Sequence, residues 1–69
     1  MEINKAKALV YGKQVHCPAD RGDPAYTGVV RHVSTDVNKN IHGVEYVWVT
    51  VSKVGNGQTS HVWPSNRLG

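Results

Sequence analysis

The sequence predicts an all-β fold, a small barrel of about five short strands with one 3-10 turn near the C-terminus. Three observations carry that expectation. The chain has only 69 residues, enough for one domain that buries about 60% of its unfolded surface. No stretch has the apolar spacing of a long amphipathic helix. Glycine, proline and Asn/Asp clusters divide the rest into short β-prone runs. Four or five such strands cannot leave open edges cheaply, so they are expected to curl on themselves.

Residues 1–7, MEINKAK, are polar and read as a flexible lead-in, with residues 8–69 forming the single barrel domain. The first strand spans 8–17, interrupted at Gly12. A loop with two prolines and a glycine, 18–24, follows. The second strand covers 26–34, with Gly28 expected at a bulge. A polar loop rich in Asn and Asp spans 35–43. The third strand, 44–53, is the clearest, because five of its ten residues are β-branched. Residues 54–57, with their Gly-Asn-Gly, signal a hairpin turn before a fourth strand at 58–63. Pro64 opens a tight helical turn in which Ser65 and Asn66 can satisfy free backbone groups.

Alternation along the third strand separates two faces. Val47, Val49 and Val51 share one; Tyr46, Trp48 and Thr50 share the other. A two-residue turn at Gly55-Asn56 pairs Trp48 with Trp63. A turn at Asn56-Gly57 shifts the register by two and leaves the facial sets unchanged. The valines have no other home than the core. Tyr46, Trp48, His61 and Trp63 are therefore expected on the opposite face. Such a face can cover a barrel end or serve a partner. Trp and Tyr offer rigid contact area with a polar tip, and two exposed tryptophans would be an unusual apolar patch on so small a chain.

Composition limits the chemistry. With 39% hydrophobic residues the chain is too apolar for a disordered tail, and no apolar run approaches a membrane span. One cysteine excludes an intrachain disulfide framework and a cysteine-based zinc cage. The net charge of +3, from eight Lys and Arg against five Asp and Glu, permits nucleic-acid binding and equally serves solubility. No charged leader precedes an apolar stretch, so the expected location is cytoplasmic.

Specific chemistry is sparse. His16, His32, His42 and His61 show no short ligand spacing, so no metal is expected. Cys17 follows His16, but strand alternation points the two apart, and Cys17 reads as a small core residue. Glu2, Asp20, Asp23, Asp36 and Glu45 form no carboxylate pair for acid–base work. Asp20-Arg21-Gly22-Asp23 reads as a turn, whose charge can also contact a basic ligand group. The glycines are dispersed and form no phosphate-cradling loop, and no cofactor is implied.

Residues 48–68, WVTVSKVGNGQTSHVWPSNRL, resemble the distal hairpin and final turn of SH3 domains. Those run from a Trp pair through a Gly-containing turn to Gly-x-Ile/Val-Pro-Ser-Asn-Tyr-Val. Gly57-Gln58-Thr59 and Pro64-Ser65-Asn66 correspond, with Trp63 inserted before the proline. The resemblance implies an SH3-like barrel. It puts Trp48 where the family keeps its ligand-contacting tryptophan and Pro64 where it keeps its groove proline. Arg67 replaces the groove tyrosine, and Ala8-Leu9-Val10-Tyr11 only faintly echoes the family's opening. Ala25-Tyr-Thr-Gly-Val-Val30, followed later by Ser60-His-Val-Trp-Pro64, is similar in layout to plasmid type II dihydrofolate reductases, whose active pore needs a tetramer. Their Val-Gln-Ile-Tyr stretch would fall on Ser60-His61-Val62-Trp63, without the glutamine.

The functional expectation is a non-catalytic binding module. Its ligand-binding surface combines Trp48, Trp63, Tyr46 and His61, with Pro64 and Arg67 at the edge. The expected partner is a protein or peptide, a second copy of the chain included. Nucleic acid is the alternative, and an oligomeric reductase-like enzyme the distant one.

Overall fold

The valine-rich segment 44–53 forms two strands, and the break at Val47 organises the fold. A computed structural model describes all 69 residues. Its elements are α1 (Ile3–Lys7), β1 (Gln14–Cys17), β2 (Tyr26–Val33), β3 (Asn38–Lys39), β4 (Glu45–Tyr46), β5 (Trp48–Lys53), β6 (Asn56–Pro64) and a 3-10 turn (Ser65–Arg67). The fold is all-β as expected. An antiparallel sheet of four strands runs in the order β1-β2-β5-β6, and β3 and β4 form a separate two-stranded ribbon. No helix is long and apolar enough to cross a membrane.

Val47 leaves the ladder because its backbone groups are engaged elsewhere. Its N–H donates to Ser65 Oγ at 3.0 Å, and its carbonyl accepts from the Ser65 N–H at 2.9 Å. Both residues are fully buried. The 3-10 turn is thus bolted to the point where the chain passes from ribbon to sheet. Beyond the turn, Gly69 exchanges two main-chain hydrogen bonds with His16, at 2.9 and 3.0 Å. The segment following β6 at one edge of the sheet therefore returns to β1 at the other, which curls the sheet into a small barrel-like shape.

The core lies inside that curl. Val30, Val47, Val49 and Val51 are fully buried, and Ala6, Val15, Cys17, Trp63 and Leu68 complete the buried cluster. The valine face is as the alternation predicts. A bulge in β2 serves the same face: the pairing with β5 shifts by one residue between Val30 and His32. Val30 then opposes Val51 while Val33 opposes Val49, so two residues three apart both turn inward. The bulge sits at Arg31, three residues beyond the expected Gly28. Gly28 has another task. A Cβ there would lie 2.9 Å from Cys17 Sγ and 3.0 Å from Val51 Cβ, so only glycine lets β1 and β5 close on the core.

Several local expectations need correction. The first strand begins at Gln14, because Lys13 N–H turns back to the Val10 carbonyl around Gly12 at φ +89°. Residues 1–7 hold α1, whose Ala6 is fully buried in the core. The loop 35–43 contains β3 and a tight turn organised by Asn40, whose Oδ1 accepts from the N–H groups of His42 and Val44. The turn at Asp20-Arg21-Gly22-Asp23 is as read, with Asp20 and Asp23 exchanging both main-chain bonds. Its central residues lie at φ +48° and +85°. Arg21 is the only non-glycine at positive φ, a conformation that costs an ordinary residue about 1–2 kcal/mol.

The hairpin between β5 and β6 departs most from expectation. Its two-residue turn is Val54-Gly55, with Lys53 opposite Asn56 and Gly55 at φ +82°. One residue of β5, Ser52, then stands against four of β6, residues 57–60, before Val51 meets His61. The three-residue excess is an odd number, so it exchanges the two faces of β6. Val49 opposes Trp63 and Thr50 opposes Val62. Trp63 turns into the core at 9% exposure, and Val62 is left 58% exposed. The placement of Trp63 and His61 on the face of Trp48 is thereby corrected, since His61 stands opposite Val51 as Trp63 stands opposite Val49.

Two substitutions test this account. Ser65→Ala strands the buried Val47 N–H and is expected to cost about 1–3 kcal/mol in urea unfolding. Gly28→Ala is expected to cost about 1–3 kcal/mol by overpacking, read the same way; an unchanged midpoint would show that Cys17 and Val51 yield freely.

Candidate functional site

Two adjoining clefts lie on either side of Pro64 and Arg67, which line both. The larger, of about 340 Å³, runs between loop 18–24 and β6. Its floor is aromatic. Tyr26 begins β2 opposite Cys17, so alternation carries it onto the inner face with Gly28 and Val30. The indole N–H of Trp63 donates to the Tyr26 hydroxyl at 2.8 Å, and the two rings stand 6.4 Å apart. His61 also tilts against Tyr26, with ring centroids 5.7 Å apart. All three prolines of the chain, Pro18, Pro24 and Pro64, form the walls.

Charge is arranged over this floor. Lys53 Nζ lies 5.1 Å from the centre of the Tyr26 ring, and Arg67 Cζ lies 5.3 Å from that of Trp63. Both are within the range of cation–π attraction. Arg67 also approaches Asp20 at 3.7 Å, the one salt bridge of the molecule, with both side chains more than 40% exposed. That pair contributes little to stability. Asp23 stands on the same loop wall without a cationic partner.

The smaller cleft, of about 200 Å³, is lined by Asn40, Tyr46, Trp48 and Asn66 beside Pro64 and Arg67. Tyr46 and Trp48 meet edge to face, with centroids 5.3 Å apart. Trp48 remains 43% exposed. Its backbone is held by Ser34, whose hydroxyl accepts the Trp48 N–H at 3.1 Å. Asn66 lines this cleft, and its Oδ1 is buried without a hydrogen-bond partner.

The six residues singled out from the sequence thus divide into two groups that meet. Tyr46 and Trp48 occupy one cleft, His61 and Trp63 the other, and Pro64 and Arg67 join them. Their positions differ in character. Trp48 offers an open ring, whereas Trp63 is a floor residue whose indole N–H is already engaged. Sequence reasoning missed Tyr26, although its alternation with Gly28 and Val30 was a usable signal. It also missed Lys53, and it did not bring the Asp20–Asp23 turn to the rim beside it, because loop and hairpin meet only in the folded chain.

Burial pushes the Cys17 thiol above its ordinary 9.0, against smaller opposing effects from hydrogen bonds with Tyr26 and the Gly28 backbone. The thiol is protonated at neutral pH, and His16 points to the other side of β1. This is no nucleophile–base pair. Burial likewise raises the Tyr26 hydroxyl above 10.0, offset in part by the bond from Trp63. No three His, Cys, Asp or Glu side chains come together as a metal site would require. The arrangement can bind by apolar contact, stacked cations and ion pairing. Comparison with protein-family models, curated proteins and solved structures finds no match for the chain.

Raised Cys17 and Tyr26 values make stability fall with alkali. Both groups are neutral when protonated, so their contribution is full below the ordinary 9.0 and 10.0 and is lost as pH rises through the higher folded values. Urea unfolding from pH 7 to 11 should show a falling midpoint above about pH 9. Tyr26→Phe should flatten the upper part of that fall, and a flat profile in the parent protein would contradict the burial argument.

Proposed function

We propose that the chain is a small non-catalytic binding module with an SH3-like barrel, and that its partner is a protein or peptide, a second copy of the chain included. One observation supports this reading above the others. Two aromatic clefts adjoin at Pro64 and Arg67, and together they contain all six residues selected from the sequence. A chain with only nine residues in its apolar core leaves the ring of Trp48 open to water. Its packing does not require that exposure, and interface anchors are often such rings beside a polar rim. The two-cleft groove also suits an extended chain better than a compact small molecule.

The test uses the whole protein, immobilised, and a phage library displaying random dodecapeptides. Clones are expected to enrich on the parent protein, and Trp48→Ala should weaken their binding by about thirtyfold or more, as for an interface hot spot. The unfolding midpoint of Trp48→Ala should stay within the few tenths of a kcal/mol typical of surface changes. Absence of enriched clones, or equal binding by Trp48→Ala, would remove the peptide-groove reading.

A further inference from the structure

We infer that the groove recognises an acidic polypeptide segment, one whose carboxylates are held by Arg21, Lys53 and Arg67. The inference rests on the binding-module reading above and adds the chemical class of the partner. Lys53 and Arg67 lie over the rings of Tyr26 and Trp63 with their charged ends in the larger cleft. Lys53 has no carboxylate within salt-bridge distance. The approach of Arg67 to Asp20, at 3.7 Å, is well beyond the 2.7–2.9 Å of a strong charge-assisted hydrogen bond. A ligand carboxylate reaching Arg67 can displace Asp20 at little cost, since both partners are already half in water.

The third cation, Arg21, does not itself line the cleft. It stands at the tip of the turn whose two arms, Asp20 and Asp23, line the same cleft. The turn has two successive residues at positive φ, where Asn-Gly is favoured and arginine is not. The Arg21 side chain is exposed and has no ion-pair partner within the molecule. Nothing in the fold rewards an arginine held in a strained conformation there. Strain of this kind is often retained at binding sites, and an exposed arginine is a frequent interface anchor. The net charge of +3 acts in the same direction over longer range. Asp23 opposes it and would set where along the cleft a ligand carboxylate can sit.

A polypeptide fits better than a nucleic acid. A stacked base needs an open ring face, yet Tyr26 and Trp63 are covered by cations and joined by their polar tips. Only Trp48 offers an open ring among the groove's large aromatics. Proline walls on both sides of the cleft suit an extended peptide.

The experiment reads the composition of the enriched dodecapeptide clones on the whole protein. Asp and Glu should be enriched over the starting library. Lys53→Glu and Arg67→Glu should each weaken acidic clones by about tenfold, and Arg21→Asn, which also relieves the strained turn, should weaken them while raising the thermal midpoint. Asp23→Asn should strengthen them, a gain that misfolding cannot produce. Enrichment of Lys- or Arg-bearing clones would overturn the acidic assignment and leave the peptide-groove reading intact. Loss of all clones would remove both. Tighter, salt-sensitive binding of a dodecamer of deoxythymidine than of any clone would reassign the cations to phosphate and overturn the inference.

Discussion

The arrangement of the molecule depends on an odd number of residues in one hairpin. Four residues of β6 stand against Ser52 of β5, and this excess carries Trp63 to the side of Val49. Without it, Trp63 would lie beside Trp48 on the outer surface, and the core would lose its largest member. Its indole N–H could not reach Tyr26, and Arg67 would have no buried ring to cover. The aromatic floor of the larger cleft, and the separation of the two clefts, both follow from that local register.

The 3-10 turn connects this hairpin to the rest. Ser65 satisfies both backbone groups of Val47 where the ladder breaks, while its neighbours Pro64 and Arg67 divide the clefts. Along four consecutive positions, Ser65 is buried and structural while Pro64, Asn66 and Arg67 line the clefts. That economy is expected of a chain with a small core, in which few residues are available to support a site without belonging to it. It also couples them, because a change that loosens Ser65 must disturb the ridge between the clefts.

Much of the fold was legible from local chemistry. Five β-branched residues in 44–53 marked a strand, Pro-Ser-Asn marked the final turn, and alternation assigned Val47, Val49 and Val51 to the core. The buried Cys17 and exposed His16 followed from the same rule. What failed were features in which distant backbone groups compete with local preference. Val47 breaks its strand because Ser65, eighteen residues away, takes its hydrogen bonds. Residues 1–7 looked too polar for structure, yet α1 places Ala6 in the core. Gly28 signalled irregularity, but its role is close packing against Cys17 and Val51.

The candidate surface divides along the same line. The sequence by itself determined the class of fold and the valine face, and it marked six of the residues that line the two clefts. Only the tertiary structure decided that Trp63 faces inward, that Tyr26 completes the floor, and that Lys53 and loop 18–24 supply its charged rim. The physical reason is parity. Alternation predicts facing within a strand from local geometry, but pairing across a hairpin depends on every residue between the partners. An irregularity of odd length reverses one face and leaves no mark in the alternation on either side.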